Sequence, residues 1–277
     1  MIDGRTQLIA HIGYPTEPFK SPMIYNPFFA ARRINAVVVP MGCKAEDYPT
    51  FLKLVFKLSN VCGALITMPH KVTTLALVEE ASVSAKIAGA CNAVKIDESG
   101  RLIGDMFDGE GFTRGIARKG FQIAGARCLV NGSGGVGSAI AASLAANGAG
   151  VFVVADMNAA AAEALAARIV QHYPRVEARA GVADPAGYDL IVNATPLGME
   201  IGDALPFDVA RIAPSTFVGE VVMKQEITPL LHAAREKGCR YQVGTDMLFE
   251  MIPAYLEFFG FGTATPDELR AVAKVAY

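Results

Sequence analysis

RCLVNGSGGVGSAIAASLA, residues 127–145, decides how the rest of the chain is read. A short apolar run, Cys128 to Val130, leads straight into Gly132, Gly134 and Gly137, and a stretch of small helix-compatible residues follows. Each glycine of this G-x-G-x-x-G spacing has a task. Gly132 makes a tight turn, Gly134 lets the backbone approach a pyrophosphate, and Gly137 lets the helix pack closely on the strand, with the helix N-terminus facing the phosphates. The bare pattern is weakly informative. Here a strand precedes it, a helix follows it, and a second apolar run, VFVVAD, ends in an acid, Asp156, about twenty residues on. The stretch therefore predicts a dinucleotide pocket in a Rossmann-type, doubly wound domain. Ser133, Gly135 and Val136 complete the loop. A carboxylate at Asp156 can accept both ribose hydroxyls of NAD and repels the 2′-phosphate of NADP. The plainer reading of Asp156 is a cap for the next helix. No Arg or Lys occurs from Met157 to Ala167, so NAD is the expected cofactor and NADP the second possibility.

Working outward, SAIAASLAANG, VFVVAD, AAAAEALAARIVQHY, DLIVNATPLG and FVGEVVM continue an α/β series on the C-terminal side of the loop. The N-terminal side carries its own series: LIAHIGYP, PMIYNPFFAARRI, AVVVPMG, DYPTFLKLVFKLS, GALITMP and TTLALVEEAS. Strand-type runs alternating with helical patterns predict βαβ units and a mainly parallel sheet. A chain of 277 residues is also longer than one core usually organises. Two α/β domains are expected. MLFEMIPAYLEFFG, near the end, reads as a long apolar helix that packs back across the first domain.

Composition narrows the function. With 52% hydrophobic and 19% charged residues the chain has ample material for packed cores. A formal net charge of −2 creates no field that gathers nucleic acid or anionic lipid. Cys43, Cys62, Cys91, Cys128 and Cys239 form no C-x-x-C pair, and His11, His70, His172 and His232 have no ligand spacing, so neither disulfides nor a metal are expected. The N-terminus does not read as a signal peptide, and the uncharged run from Cys128 to Ala155 is too rich in glycine and alanine for a membrane span. The expectation is a cytoplasmic protein, monomer or homodimer, with a small-molecule partner and neither nucleic acid nor membrane.

Two further stretches put chemistry-bearing residues in turns that end apolar runs: GALITMPHK, closing with Lys71, and GDMFDGEG, with Asp108. Reduction of a carbonyl needs a proton donor for the oxygen that gains charge as hydride arrives, and a lysine can serve when its pKa is tuned. A neighbouring carboxylate would hold the ammonium in place. By themselves, a lysine after Pro-His reads equally as a solvated loop residue, and an aspartate before glycine as a turn former.

Together with IGYPTEPFKSPMIYN, AGACNAV, DLIVNATPLGM, ITPLLHAAREKG and VGTDMLFEM, in this order along nearly the whole chain, these stretches resemble the shikimate and quinate dehydrogenase family. The resemblance implies that Lys71 and Asp108 form a catalytic pair and that Asn92 binds a substrate hydroxyl beside them. It implies that Ser21 and Thr67 line a ring acid's pocket, and that Asn193, Thr195 and Gly244 join the loop around the cofactor. It also implies a substrate domain of residues 1–108 plus 244–277, and a nucleotide domain of 109–243. The implied activity is reversible NAD(P)-dependent reduction of 3-dehydroshikimate, or a related ring keto acid, to shikimate.

The departures from the family pattern lie in the pocket. Phe19 stands where a serine is usual, Leu65 where an asparagine is, Met223 for a tyrosine, Phe107 for a threonine, and Met251 for a glutamine. Each substrate hydroxyl buried against such a side chain without a partner would cost about 1–3 kcal/mol. Less hydroxylated acids, quinate or an aminated ring acid therefore remain alternative substrates, unless neighbours such as Lys20 or Lys224 supply new contacts. A non-catalytic, NAD(P)-binding redox sensor is the alternative from another class.

Overall fold

The computed structural model describes residues 2–200 and 202–275. Its elements alternate as the sequence pattern implies. In order, the first series is β1 (Gln7–Gly13), α1 (Pro22–Arg32), β2 (Ala36–Gly42), α2 (Tyr48–Val55), β3 (Val61–Ile66), α3 (Lys71–Leu75), β4 (Glu80–Ala81), α4 (Val83–Ala88), β5 (Ala93–Ile96) and β6 (Leu102–Asp105). The second series runs α5 (Asp108–Arg118), β7 (Arg127–Asn131), α6 (Gly135–Ala146), β8 (Val151–Ala155), α7 (Ala159–His172), β9 (Glu177–Ala180), β10 (Leu190–Asn193), β11 (Phe217–Glu220), α8 (Pro229–Glu236) and β12 (Tyr241–Gln242). Helices α9 (Gly244–Phe259) and α10 (Pro266–Val272) close the chain.

Among the described residues the strands form two six-stranded sheets, ordered β2-β1-β3-β5-β6-β4 and β12-β11-β10-β7-β8-β9. The second is parallel throughout. In the first, β5 runs antiparallel to both β3 and β6, and the remaining pairs are parallel. Strands flanked by crossover helices are covered on both faces, which is why LIVN of β10 and VFVVA of β8 read as continuous apolar runs without alternation.

The contacts divide the chain into two compact units, one comprising the residues up to Phe107 with those from Ile252 onward, the other Asp108–Met251. The family resemblance implies a second boundary at 243/244, where β12 has ended; the contacts set it inside α9. The first part of α9 lies against α5, where a Cβ added to Gly111 would meet Met251 Cβ at 2.6 Å. Its last turn belongs to the other unit: Phe259 fills the space over Gly63 of β3, and the Lys95 ammonium donates to the carbonyl of Phe258 at 3.0 Å.

Helix ends follow local chemistry. Thr265 and Glu268 form a reciprocal capping box on α10, Thr228 caps α8 and Asn158 caps α7, each accepting a backbone N–H with its side chain. TTLALVEEAS, expected to be helical, gives only the short α3 and the two-residue β4; Thr74 turns its hydroxyl back to the carbonyl of His70 at 2.8 Å. No helix among the described residues is long and apolar enough to cross a membrane.

Candidate active site

In the second unit, the glycine-rich loop joins β7 to α6 in a conformation that its residues impose. Gly132 has φ +110°, and a Cβ there would meet the Ala194 carbonyl oxygen at 2.5 Å. At Gly137 a Cβ would lie 2.0 Å from the carbonyl oxygen of Gly132, so α6 can approach the strand end only because that position is bare. Around Gly134 and Gly135, by contrast, nothing lies within 4 Å of the position a Cβ would take. Gly134 is the cap residue of α6 and no side chain caps it. A helix N-terminus with free N–H groups over open space is the environment a pyrophosphate requires, so these residues fit a dinucleotide.

Asp156, directly after β8, reaches back to this loop. Its Oδ2 accepts the Ser133 N–H at 2.7 Å and the Ser133 hydroxyl at 2.6 Å, while Oδ1 accepts the N–H of Asn158 at 2.8 Å. Partial burial pulls the carboxyl pKa up, but these hydrogen bonds outweigh it and hold the group below its ordinary value. It is therefore ionised near neutrality. Val136 is half-buried in the first turn of α6.

Asn193 is fully buried, and its amide is committed within the unit. Its nitrogen donates to Glu220 and to the Leu197 carbonyl, and its oxygen accepts from the Thr195 N–H at 3.1 Å and hydroxyl at 2.7 Å. It shapes the loop after β10, so of this pair Thr195 is the half-buried one. Burial pushes the Glu220 pKa up, against the bonds it accepts from Val222, Asn193 and Thr228. Gly244 opens α9 where a Cβ would meet the Val222 carbonyl oxygen at 2.2 Å, a role in packing α9 beside the end of β11.

In the first unit, Lys71 begins α3 after the short turn of residues 67–70 that follows β3, and its backbone is pinned from two sides. Its carbonyl accepts the Cys91 N–H at 2.9 Å. The preceding His70 is buried, stacked on Tyr48 at 3.9 Å, and its Nε2 bonds the Cys43 carbonyl at 2.8 Å; burial lowers its pKa. Asn92, next to Cys91, is 1% exposed and sits at a junction: its N–H goes to Asp105, its carbonyl accepts from Ile66, and its Oδ1 accepts the Phe107 N–H at 2.9 Å. Asp108 follows Phe107 directly and is buried at the start of α5. Phe107 itself packs edge-on against Tyr255 at 4.9 Å and Phe258 at 5.5 Å, so this substitution belongs to the core of the unit and not to a pocket wall.

Leu65 is buried in β3 and Thr67 follows that strand, half-buried. Ser21 precedes α1, where its carbonyl accepts the N–H groups of Ile24 and Tyr25. Met251 lies on α9 beside Gly111 and Met223 is half-buried after β11. Lys224 is ion-paired with Glu200.

One residue that the sequence reading passed over lies in this cluster. His11, in β1, is 6% exposed and its ring stacks on Phe19 with centroids 4.1 Å apart. Burial, with the charge of Lys71 as a smaller contribution, lowers its pKa to about 4. Its Nδ1 is buried without a hydrogen-bond partner, which costs about 1–3 kcal/mol. A histidine inside the apolar run LIAHIG, in a strand paired on both sides, was the signal; weighing histidines only for metal spacing hid it. Among the described residues no group of three or more His, Cys, Asp or Glu could hold a metal ion.

Comparison with known proteins decides the family. Residues 11–94 match the shikimate dehydrogenase substrate binding domain. Shikimate dehydrogenase (NADP(+)) of Rubrobacter xylanophilus is 36% identical over 251 residues, covering 89% of this chain and 88% of that protein. The chain belongs to the shikimate dehydrogenase family. Solved structures of the shikimate dehydrogenase family share the whole architecture. That of shikimate 5-dehydrogenase from Listeria monocytogenes in complex with shikimate and NAD superposes with a TM-score of 0.91 at 25% identity, covering 98% of this chain and 97% of that one. Quinate dehydrogenase from Corynebacterium glutamicum in complex with NAD gives 0.85 at 30% identity, covering 96% and 98%.

Proposed function

We propose that this protein catalyses the reversible transfer of hydride between a nicotinamide dinucleotide and the ring carbon bearing a secondary hydroxyl of shikimate, giving 3-dehydroshikimate. The observation that carries the reading is the pinning of Lys71 and of the residue before Asp108 to one junction at Cys91-Asn92. When bound, the nicotinamide supplies or accepts the hydride. The Lys71 ammonium delivers a proton to the oxygen of the carbonyl being reduced, and in the oxidative direction its neutral amine takes that proton back. Asp108 orients the ammonium. Asn92, rigid through its bond to Phe107, sets the position of the substrate hydroxyl beside it, and Ser21 and Thr67 hold the acid. Residues 1–108 with 244–277 would serve the ring acid and residues 109–243 the dinucleotide, through Gly132, Ser133, Gly134, Gly135, Val136, Gly137 and Thr195.

NAD is the preferred cofactor on the residues present. Asp156 is ionised directly after β8, and the first cation after it in the chain is Arg168. The Rubrobacter relative is named for NADP(+); what supports NAD here is that residues 157–167 carry no cation to clamp a second phosphate. Phe19, Leu65 and Met251 favour a second reading, in which a less hydroxylated ring acid is the better substrate. The deciding assay measures NADH and NADPH formation with shikimate, quinate and deoxy analogues. Turnover of shikimate with kcat/KM higher for NAD is expected; no turnover of any ring acid would overturn the reading.

A further inference from the structure

His11 and Leu65 are partners in register on β1 and β3, so their side chains project from the same face of the sheet. Gly13, two residues further along β1, shares that face; a Cβ there would meet Thr67 Cγ2 at 2.4 Å and Phe19 Cζ at 2.8 Å. The opposite face, with Ala10, Ile12, Ala64 and Ile66, forms a hydrophobic core with α2. His11, Phe19, Leu65 and Thr67 are thus one cluster at the carboxyl ends of parallel strands, where ligands bind in open α/β sheets, and Lys71 lies within electrostatic reach of it.

Within this cluster the imidazole is the one feature that packing leaves unexplained. An apolar side chain would fill the same place without a buried nitrogen lacking a partner, and such a group in a folded protein calls for a physical reason. Stacking on Phe19 fixes the plane of the ring and so the direction in which its nitrogens point. Because the ring is neutral at pH 7, it offers one N–H donor and one acceptor and adds no charge beside Lys71.

We propose that His11 is a substrate-recognition residue whose imidazole hydrogen-bonds an oxygen of the ring acid beside Lys71, restoring from β1 the polar contact that Leu65 on β3 and Phe19 do not offer. Phe19 then acts by orienting the ring. This rests on the reading of the protein as a ring-acid dehydrogenase.

Steady-state kinetics of wild type, H11F, H11Q and H11F/L65N test it, with shikimate, its carboxamide and analogues each lacking one ring hydroxyl. Tm and NAD affinity, measured on each variant, report the fold. H11F should raise KM for shikimate roughly tenfold, the loss of one hydrogen bond, while kcat changes far less. On the one analogue that lacks the oxygen His11 holds, H11F should behave like wild type, which also tells a hydroxyl from the carboxylate. H11Q and H11F/L65N should each recover part of the loss. An equal penalty on every analogue, or none on any, would overturn the proposal. Should H11F fold poorly, the comparison of H11Q with H11L carries the same two outcomes. Wild type that turns over no ring acid would instead overturn the functional reading beneath it, and this inference with it.

Discussion

The glycine-rich loop and the cluster around Lys71 are built on opposite plans. In the loop, residues 132–137 meet one another and the adjoining strand ends through backbone atoms, Gly137 against the Gly132 carbonyl and Gly132 against that of Ala194. Around Lys71, the groups come from β1, β3, α3 and the turn before β5, and hydrogen bonds between residues far apart in sequence assemble them: Thr67 to Ile12, Cys91 to Lys71, Phe107 to Asn92. Where backbone meets backbone, at Gly132 and Gly137, such a site tolerates no added atom. A site made of side chains on separate elements tolerates exchange, provided that a neighbour takes over the lost group. Phe19, Leu65 and His11 read as such an exchange.

The largest effect should come from breaking the chemistry without the scaffold. Lys71→Ala is expected to lower kcat by about 10²–10⁴-fold, the usual contribution of general acid-base catalysis, because proton transfer belongs to the transition state. The side chain is half-buried and its backbone contacts survive truncation, so Tm should change little. A collapse of Tm in parallel with kcat would make Lys71 a structural residue.

Next in size is the contrast between two glycines of one motif. Gly137→Ala places a carbon 2.0 Å from a backbone oxygen and should destabilise the fold by about 1–3 kcal/mol while weakening dinucleotide binding. Gly134→Ala meets no atom within 4 Å and should leave Tm unchanged while weakening dinucleotide binding alone. Thermal melts and dinucleotide titration of the two variants separate packing from ligand approach; equal Tm losses would contradict the geometry.

Smaller again, Asp156→Ala removes an ionised carboxylate and should narrow the preference for NAD over NADP by about tenfold, near 1.4 kcal/mol. The ratio of kcat/KM values for the two cofactors checks this. A wild-type preference for NADP would show that cations from elsewhere in the fold outweigh Asp156.

The smallest effect concerns stability against pH. In the unfolded chain His11 takes up a proton near pH 6.5, in the folded one near 4, so between these values the unfolded state binds more protons. Stability should fall as pH drops through that window, by about 1 kcal/mol at pH 5.5 from this group. H11F should flatten the curve of Tm against pH relative to wild type. An unchanged slope would place the His11 ring in water.

What was legible in the sequence follows the same division. The loop could be read because glycine spacing, a preceding strand and a following helix are all contiguous. Lys71, Asp108 and Asn92 each look ordinary alone, and only several ordered stretches together pointed to them. Phe107 was read as part of the pocket, yet its ring packs against Tyr255 and Phe258, while Asn193, read as part of the cofactor site, shapes the loop after β10 through bonds to Glu220 and Thr195. Position in a motif does not say which way a side chain turns.

By itself, then, the sequence determined the two α/β series, the turn chemistry of residues 132–137 and the lack of a cation after Asp156, since these depend on residue type and near neighbours. The tertiary structure decided that α9 is shared between the units, that the dipeptide Cys91-Asn92 joins Lys71 to the residue before Asp108, and that His11 stands beside Leu65. The reason is register: a pairing such as His11 with Leu65 joins residues fifty-four apart in the chain, and no local pattern encodes which strand lies next to which.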